Sequence, residues 1–344
     1  MLKIELNKLN DLFAKISSST DLVLPVTVAG ETNFAKYEDG AEVNLTVQTV
    51  KSAKDSFFPQ AEDLMKFKTE GKKINIIDIR ENVEPFVLFG VRACDYRSFE
   101  ILDRVFLVDP IDTYYKAKRE KGVIVTLACS RPEESCFCSA FGIDATNPLG
   151  DVTTYIADGF LYWNANTDKG NALTDAVKDL FAQADNNDEA KIDEQKKNTK
   201  EILAKLPYAN VDLSAFTPDK LNELFNDAKW EELSEACLGC GSCTFVCPTC
   251  QCYDIKDFKT NDGVKRFRCW DSCMYADFTR MAHGNSRNFQ LQRFRQRFMH
   301  KLVYYPSNNE GIYSCVGCGR CVKKCPISMN IAKVIKTIGG KNND

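Results

Sequence analysis

One cysteine spacing, written twice, constrains this chain more than any other feature. Cys237-Leu-Gly-Cys240-Gly-Ser-Cys243-Thr-Phe-Val-Cys247-Pro248 and Cys315-Val-Gly-Cys318-Gly-Arg-Cys321-Val-Lys-Lys-Cys325-Pro326 both read C-x2-C-x2-C-x3-C-P. Three closely spaced thiolates can grip three irons of one [4Fe–4S] cube. The fourth, displaced by the turn that proline ends, reaches the other cube when two are present. The expected sets are therefore Cys237, Cys240 and Cys243 with Cys325, and Cys315, Cys318 and Cys321 with Cys247. Gly239, Gly241, Gly317 and Gly319 suit a tight backbone with amides aimed at sulfur. Zinc ribbons use C-x2-C pairs but do not require four cysteines and a terminal proline, twice.

Sixteen cysteines are present in 344 residues. No leader with an apolar core and cleavage site is visible from Met1 to Leu24, and no apolar window approaches a membrane span. The expected address is the cytoplasm, where a disulfide framework is disfavoured and clustered cysteines point to metal. A net charge of -3 gives no pervasive basic field for nucleic acid.

Two further groups are metal candidates. Cys94 and Cys129 each lie just beyond an apolar run, Phe86–Val91 and Val123–Ala128, whose two-sided apolar character suits central parallel strands. With helical spacing from Asp95, a plausible N-cap, to Phe106 between them, this is a strand–helix–strand unit with both thiols at carboxyl ends, where open α/β sheets place their sites. Cys136 and Cys138 follow on the next loop, and the four together are a candidate third [4Fe–4S] site. Cys250, Cys252, Cys269 and Cys273 stay open between a fourth cluster and neutral thiols packed beside the others; Cys269 and Cys273 would share a face if their segment is helical.

The fold expected is a mixed α+β or α/β domain over 1–185, a linker with helices over 186–234, and an α-helical, ferredoxin-like two-cluster domain over 235–344. Leu2 to Ile16 reads as a helix, Leu22–Val28, Val43–Val50 and Ile74–Ile79 as strands, Thr154–Trp163 as a hairpin and Asn171–Ala184 as a helix. Residues 185–200 are polar enough to read as a linker into a helix at Glu201–Leu206; further helices are expected from Pro218 to Leu233 and from Ile331 to Ile338. Sixty-seven residues separate Cys247 from Cys315, an arrangement similar to that of α-helical ferredoxins. Within that insert Phe289, Leu291, Phe294, Phe298 and Leu302 recur at helical intervals, as core residues do. From Lys256 to Lys301 there are eleven Lys or Arg against four Asp. Those cations either raise the potential of an anionic cluster or form a solvated docking face.

With these motifs placed, the chain resembles the iron–sulfur β subunit of the soluble sulfhydrogenases and the equivalent A subunit of anaerobic sulfite reductase. The resemblance rests on Phe89-Gly-Val-Arg-Ala-Cys94-Asp95, Leu102-Asp-Arg-Val-Phe106, Ser135-Cys136-Phe-Cys138-Ser139, Cys247-Pro-Thr-Cys250-Gln-Cys252-Tyr253, Trp270-Asp-Ser-Cys273-Met274 and both long motifs. It implies a relay subunit between a flavin subunit that meets NAD(P)H and a second redox subunit, a hydrogenase or reductase, and it favours Cys94, Cys129, Cys136 and Cys138 as ligands. In this family Trp-Asp-Ser-Cys is not normally preceded by a cysteine, and Met281-Ala-His283-Gly-Asn285 departs from its Gly-Gly-His context, so no role carries to Cys269 or His283. The competing readings are a subunit whose N-terminal cluster, or a bound flavin, itself reduces a sulfite- or polysulfide-type substrate, and a structural zinc or adaptor protein. No nucleotide-binding glycine fingerprint is present, and two histidines give little material for acid–base catalysis.

Overall fold

The structure, a computed structural model, describes residues 1–340 apart from 81–82 and 262. In chain order the first half runs β1 (Leu2–Glu5), α1 (Leu9–Ser17), β2 (Asp21–Val28), β3 (Glu31–Lys36), β4 (Ala61–Glu70), β5 (Lys73–Asp78), β6 (Phe86–Val91), α2 (Ala93–Phe106), α3 (Thr113–Lys121), β7 (Gly122–Leu127), β8 (Val152–Ala157), β9 (Phe160–Ala165), α4 (Asp168–Val177), β10 (Ala182–Gln183) and α5 (Asn186–Ala204). Eight strands form one mixed sheet in the order β10-β1-β9-β8-β7-β6-β2-β3. The apolar runs β6 and β7 lie at its centre, parallel to each other and to β2 and β8, because strands without a polar face need cover on both sides. One face carries Phe13, Phe89 and Trp163; the other carries Phe57, Phe99 and Tyr115.

The second half is mainly helical: α6 (Leu221–Phe225), α7 (Lys229–Glu235), α8 (Ser242–Phe245), then the hairpin β11 (Tyr253–Thr260) and β12 (Gly263–Trp270), then α9 (Gln290–Met299), α10 (Tyr305–Asn308), α11 (Arg320–Lys323) and α12 (Ile331–Ile338). Its core gathers Trp230, Phe294, Phe298, Leu302 and Ile335, together with Phe137 from the loop after β7. The hairpin does not stay among the helices. It pairs with β4 and β5 in a second sheet, β11-β12-β4-β5, so the cysteine-rich insert and the first half share backbone hydrogen bonds.

Several local expectations are corrected. Residues 186–204 are one long helix, started by a capping box in which Asp185 and Asp188 satisfy each other's backbone amides. Leu2–Glu5 is a strand, since Leu2 and Ile4 recur at period two, and only Leu9–Ser17 is α-helical. Val43–Val50 makes a single bridge, Val26 to Val43; its carbonyls serve side chains instead, Leu45 accepting from Arg92 and Thr49 from Arg320. The expected Asn171–Ala184 helix stops at Val177, and Ala182–Gln183 pairs with β1. The expected Pro218–Leu233 helix breaks at 226–228, where the Asp227 carboxylate accepts from the Lys229 amide. Asp95 is not an N-cap, because α2 begins two residues earlier. Phe289 is 70% exposed rather than core.

The halves meet at the glycines of the second motif. Gly317 and Gly319 have φ of +57° and +77°, and a Cβ at either would overlap the backbone of Phe137 or Ser135. The Phe137 amide donates to the Gly317 carbonyl at 2.8 Å. Gly319→Ala is expected to destabilise by more than the roughly 1–2 kcal/mol of left-handed strain alone. Gly311→Ala, at φ +77° with open space around it, should show the strain alone. Chemical denaturation of the two variants measures the difference, and equal losses would contradict the close approach.

Candidate metal centres

Because β6 and β7 are parallel neighbours, their ends bring Cys94, in the first turn of α2, and Cys129 to the same edge. The loop beyond β7 returns Cys136 and Cys138. These four thiols line one cavity, and Cys318 of the second motif joins them. Burial pushes the Cys136 and Cys138 thiols up to about 12 and raises Cys94 and Cys129 as well. A metal centre here must displace protons from thiols that the apolar wall keeps neutral, so binding and deprotonation are one event.

The two long motifs fold alike. Gly241 and Gly319 take positive φ ahead of the short helices α8 and α11, and in each motif the second glycine's counterpart upstream donates its amide to the first cysteine: Gly239 to Cys237 Sγ and Gly317 to Cys315 Sγ, both 3.5 Å. Cys247, Cys315, Cys318 and Cys321 line a second cavity. Cys243 lies within electrostatic reach of Cys237, Cys240 and Cys247. Cys325 packs on the same core as Cys237, Cys315 and Cys321, its Sγ 3.6 Å from the Met329 carbonyl. Among the described residues no three His, Cys, Asp or Glu donors gather to hold a single metal ion; the sulfurs surround cavities instead.

Buried cations test whether these cavities suit an anionic group. Lys301 is buried, donating to Thr249 Oγ1 at 2.7 Å and to the Ser314 carbonyl at 3.0 Å. Burial lowers its pKa, but the Cys247, Cys250 and Cys315 thiols overcome this and raise it. Arg297 is likewise raised against burial by Cys243 and Cys321, and its Nε is buried with no hydrogen-bond partner. Lys54 donates to the Cys250 carbonyl at 2.8 Å and stands 3.5 Å over the Trp270 ring, with burial pulling it down to about 8. Buried cations facing thiols, one with an orphaned donor, fit a set of thiolates around an anionic cluster. The basic insert thus serves two ends: Arg297 and Lys301 face sulfur, whereas Arg266 pairs with Asp257 on the exposed hairpin.

Of the remaining cysteines, three come together. A hydrogen bond from Cys250 holds Cys247 low and Cys250 high, and Cys252 and Cys273 form a second such pair, with Cys252 lowered to about 7. Cys273 also adjoins Cys250. The Trp270-Asp-Ser-Cys273 element is fixed by Trp270 Nε1 donating to the Phe58 carbonyl and by Thr244 donating to Ser272 Oγ. Cys269 lies in β12 opposite Ala61 and Asp254. Its segment is a strand, so Cys269 and Cys273 share no helical face.

Sequence reasoning missed Arg320 and Asp95. The Arg320 guanidinium grips Asp95 bidentately, at 2.6 and 2.8 Å, and also donates to Thr49. Both partners are buried, and each adjoins a cysteine, Asp95 beside Cys94 and Arg320 beside Cys321. Each is visible singly, an Arg in the second motif where the first has Ser242 and an Asp after Cys94, but nothing in the sequence pairs them.

A family model described as a 4Fe-4S dicluster domain matches residues 236–329, the span of both long motifs. The chain is also 33% identical over 287 residues to the sulfhydrogenase 2 subunit beta of Pyrococcus furiosus, covering 82% of this chain and 81% of that protein. The chain belongs to the sulfhydrogenase beta-subunit family. No solved structure matches it. This family member is an iron–sulfur electron-transfer protein with at least two [4Fe–4S] clusters in its helical region. Among its described residues no helix is long and apolar enough to cross a membrane.

Arg320→Met would leave the Asp95 carboxylate buried without its partner, a loss of about 3–5 kcal/mol. Adding Asp95→Asn should recover part of it, since the two sites are coupled. Denaturation of the single and double variants under anaerobic conditions checks this; strictly additive losses would contradict it.

Proposed function

We propose that the chain is an electron relay with three [4Fe–4S] sites in line. The clusters supply one-electron carriage when bound. Cys94, Cys129, Cys136 and Cys138 would hold the N-terminal one; Cys315, Cys318, Cys321 and Cys247 the middle one; Cys237, Cys240, Cys243 and Cys325 the last. The carrying observation is Cys318, which lines both the N-terminal cavity and the cavity of the middle set. Arg297 supports the other junction, facing Cys243 of one set and Cys321 of the next. Cys250, Cys252 and Cys273 are read as thiols flanking the middle site rather than a fourth cluster, with Cys269 outside the group.

The relative's name as a subunit implies partner chains. The reading is of a cytoplasmic complex in which a flavin subunit meeting NAD(P)H stands at one end of the relay and a hydrogenase- or reductase-type subunit at the other. A second reading, reduction of a sulfite- or polysulfide-type substrate at the N-terminal site, is favoured by one feature. Arg131 and Glu133 line both that cavity and a neighbouring surface cleft, so the two adjoin through these side chains. Substrate-dependent oxidation of the isolated, reduced subunit separates the two.

Anaerobically purified protein should contain roughly twelve irons and as many sulfides, three cubes' worth. Cys94→Ser should bring this to about eight while leaving the EPR of the other two clusters intact; loss of every signal together would contradict three separate sites. Lys301→Met removes a buried cation beside the middle set, so the reduced, more negative cluster loses stabilisation and its potential should fall. Potentiometric EPR reads the shift, and an unchanged or higher potential would oppose the assignment.

A further inference from the structure

Thr249 is fully buried, two residues beyond Cys247 in the turn at Pro248. Its Oγ1 has three polar neighbours: Lys301 Nζ at 2.7 Å, the Ser314 carbonyl at 2.8 Å and Cys247 Sγ at 3.2 Å. A hydroxyl has one proton and two lone pairs. Lys301 has only protons to give, so it takes a lone pair, and the hydroxyl proton goes either to Ser314 or to Cys247. While Cys247 is a thiol, its own S–H fills the second lone pair and Thr249 donates to the Ser314 carbonyl.

A sulfur that binds iron has lost that proton and can only accept. The Ser314 carbonyl does not depend on Thr249, because Lys301 Nζ also donates to it, at 3.0 Å. Turning the hydroxyl proton toward Cys247 therefore orphans nothing, and it exchanges a neutral hydrogen bond for a stronger one to an anionic sulfur. Cys250 supplies a further donor to the same sulfur. The other long motif lacks this hydroxyl. Ile327 follows Cys325-Pro326 where Thr249 follows Cys247-Pro248. The neighbour of Cys325 Sγ is instead an acceptor, the Met329 carbonyl at 3.6 Å. Two motifs of identical spacing thus give their displaced cysteines opposite surroundings. Hydrogen bonds to ligand sulfur favour the more electron-rich, reduced cluster.

Resting on the relay reading above, we propose that the Thr249 hydroxyl donates to Cys247 Sγ when that sulfur ligates the middle cluster, with Lys301 as the positioning residue that orients it. The bond sets the middle cluster's potential above that of the last, so electrons collect at the centre of the relay. The test uses the full iron-loaded chain, with Cys315→Ser identifying the EPR signal of the middle set. Thr249→Val keeps the side chain's shape and removes the hydroxyl. At the wild-type midpoint the middle cluster's reduced-to-oxidised ratio should drop about tenfold, a shift of about 59 mV. The other signals should stay where they are. ENDOR in H2O and D2O should show one exchangeable proton fewer coupled to the middle cluster. Thr249→Ser should keep both the potential and the proton, which a merely space-filling role would not predict. An unchanged potential or an unchanged proton count in Thr249→Val overturns the proposal, as does an equal fall in Thr249→Ser. If Thr249→Val assembles no middle cluster, the wild type and Thr249→Ser decide: a middle cluster in either with no coupled exchangeable proton, or one reduced at a lower potential than the last, overturns it. Wild-type protein without [4Fe–4S] signals overturns the relay reading itself, whereas intact signals indifferent to Thr249 overturn this assignment alone.

Discussion

The buried ion pair between Arg320 and Asp95 is the constraint on which the rest depends. It joins the second cysteine motif to the first turn of α2, and through Thr49 it also holds the irregular segment that walls the N-terminal cavity. Burying two charges brings little net stability unless geometry and extra hydrogen bonds are good; here both carboxylate oxygens and a backbone carbonyl are engaged. What the pair supplies is register. It fixes Cys94 relative to Cys318 and Cys321, and it lets the glycine turn of the motif press on Phe137 and Ser135. Without that register Cys318 would have no reason to border two cavities.

A second principle follows from charge. Gathering thiolates around an anionic cage in a dry interior is unfavourable unless cations share the burial. The chain places Lys301 and Arg297 against sulfur and holds Lys54 by the Cys250 carbonyl. No carboxylate is among the leading influences on Lys301 or Arg297; thiols are. The same cations that make assembly tolerable would favour the reduced form, so stability and redox poise have one cause.

Much of this was legible in the sequence. The repeated spacing named both long motifs, and the unbroken apolar runs named β6 and β7, which together place Cys94 and Cys129 at one edge. What escaped has physical reasons. Helix α5 is capped by aspartates and buries only Asp188, Ile192, Thr199 and Leu203, a stripe too polar to show as amphipathic. Val43–Val50 alternates like a strand, yet its Leu45 and Thr49 carbonyls are taken by Arg92 and Arg320 from elsewhere in the chain. The β11–β12 hairpin looked like part of a helical insert because its partner strand, β4, lies about two hundred residues away. The pairing of Asp95 with Arg320 is a long-range contact that no local pattern encodes.

The central claim is that three cysteine sets, joined at Cys318 and at Arg297, each hold a cube of iron and sulfide. Iron anomalous diffraction from crystals grown without air tests it most directly. The account predicts three separate four-iron peaks, one bounded by Cys94, Cys129, Cys136 and Cys138 and two within residues 237–325, with Cys318 between the first and second. Two peaks alone, with protonated and metal-free thiols around the N-terminal cavity, would contradict it.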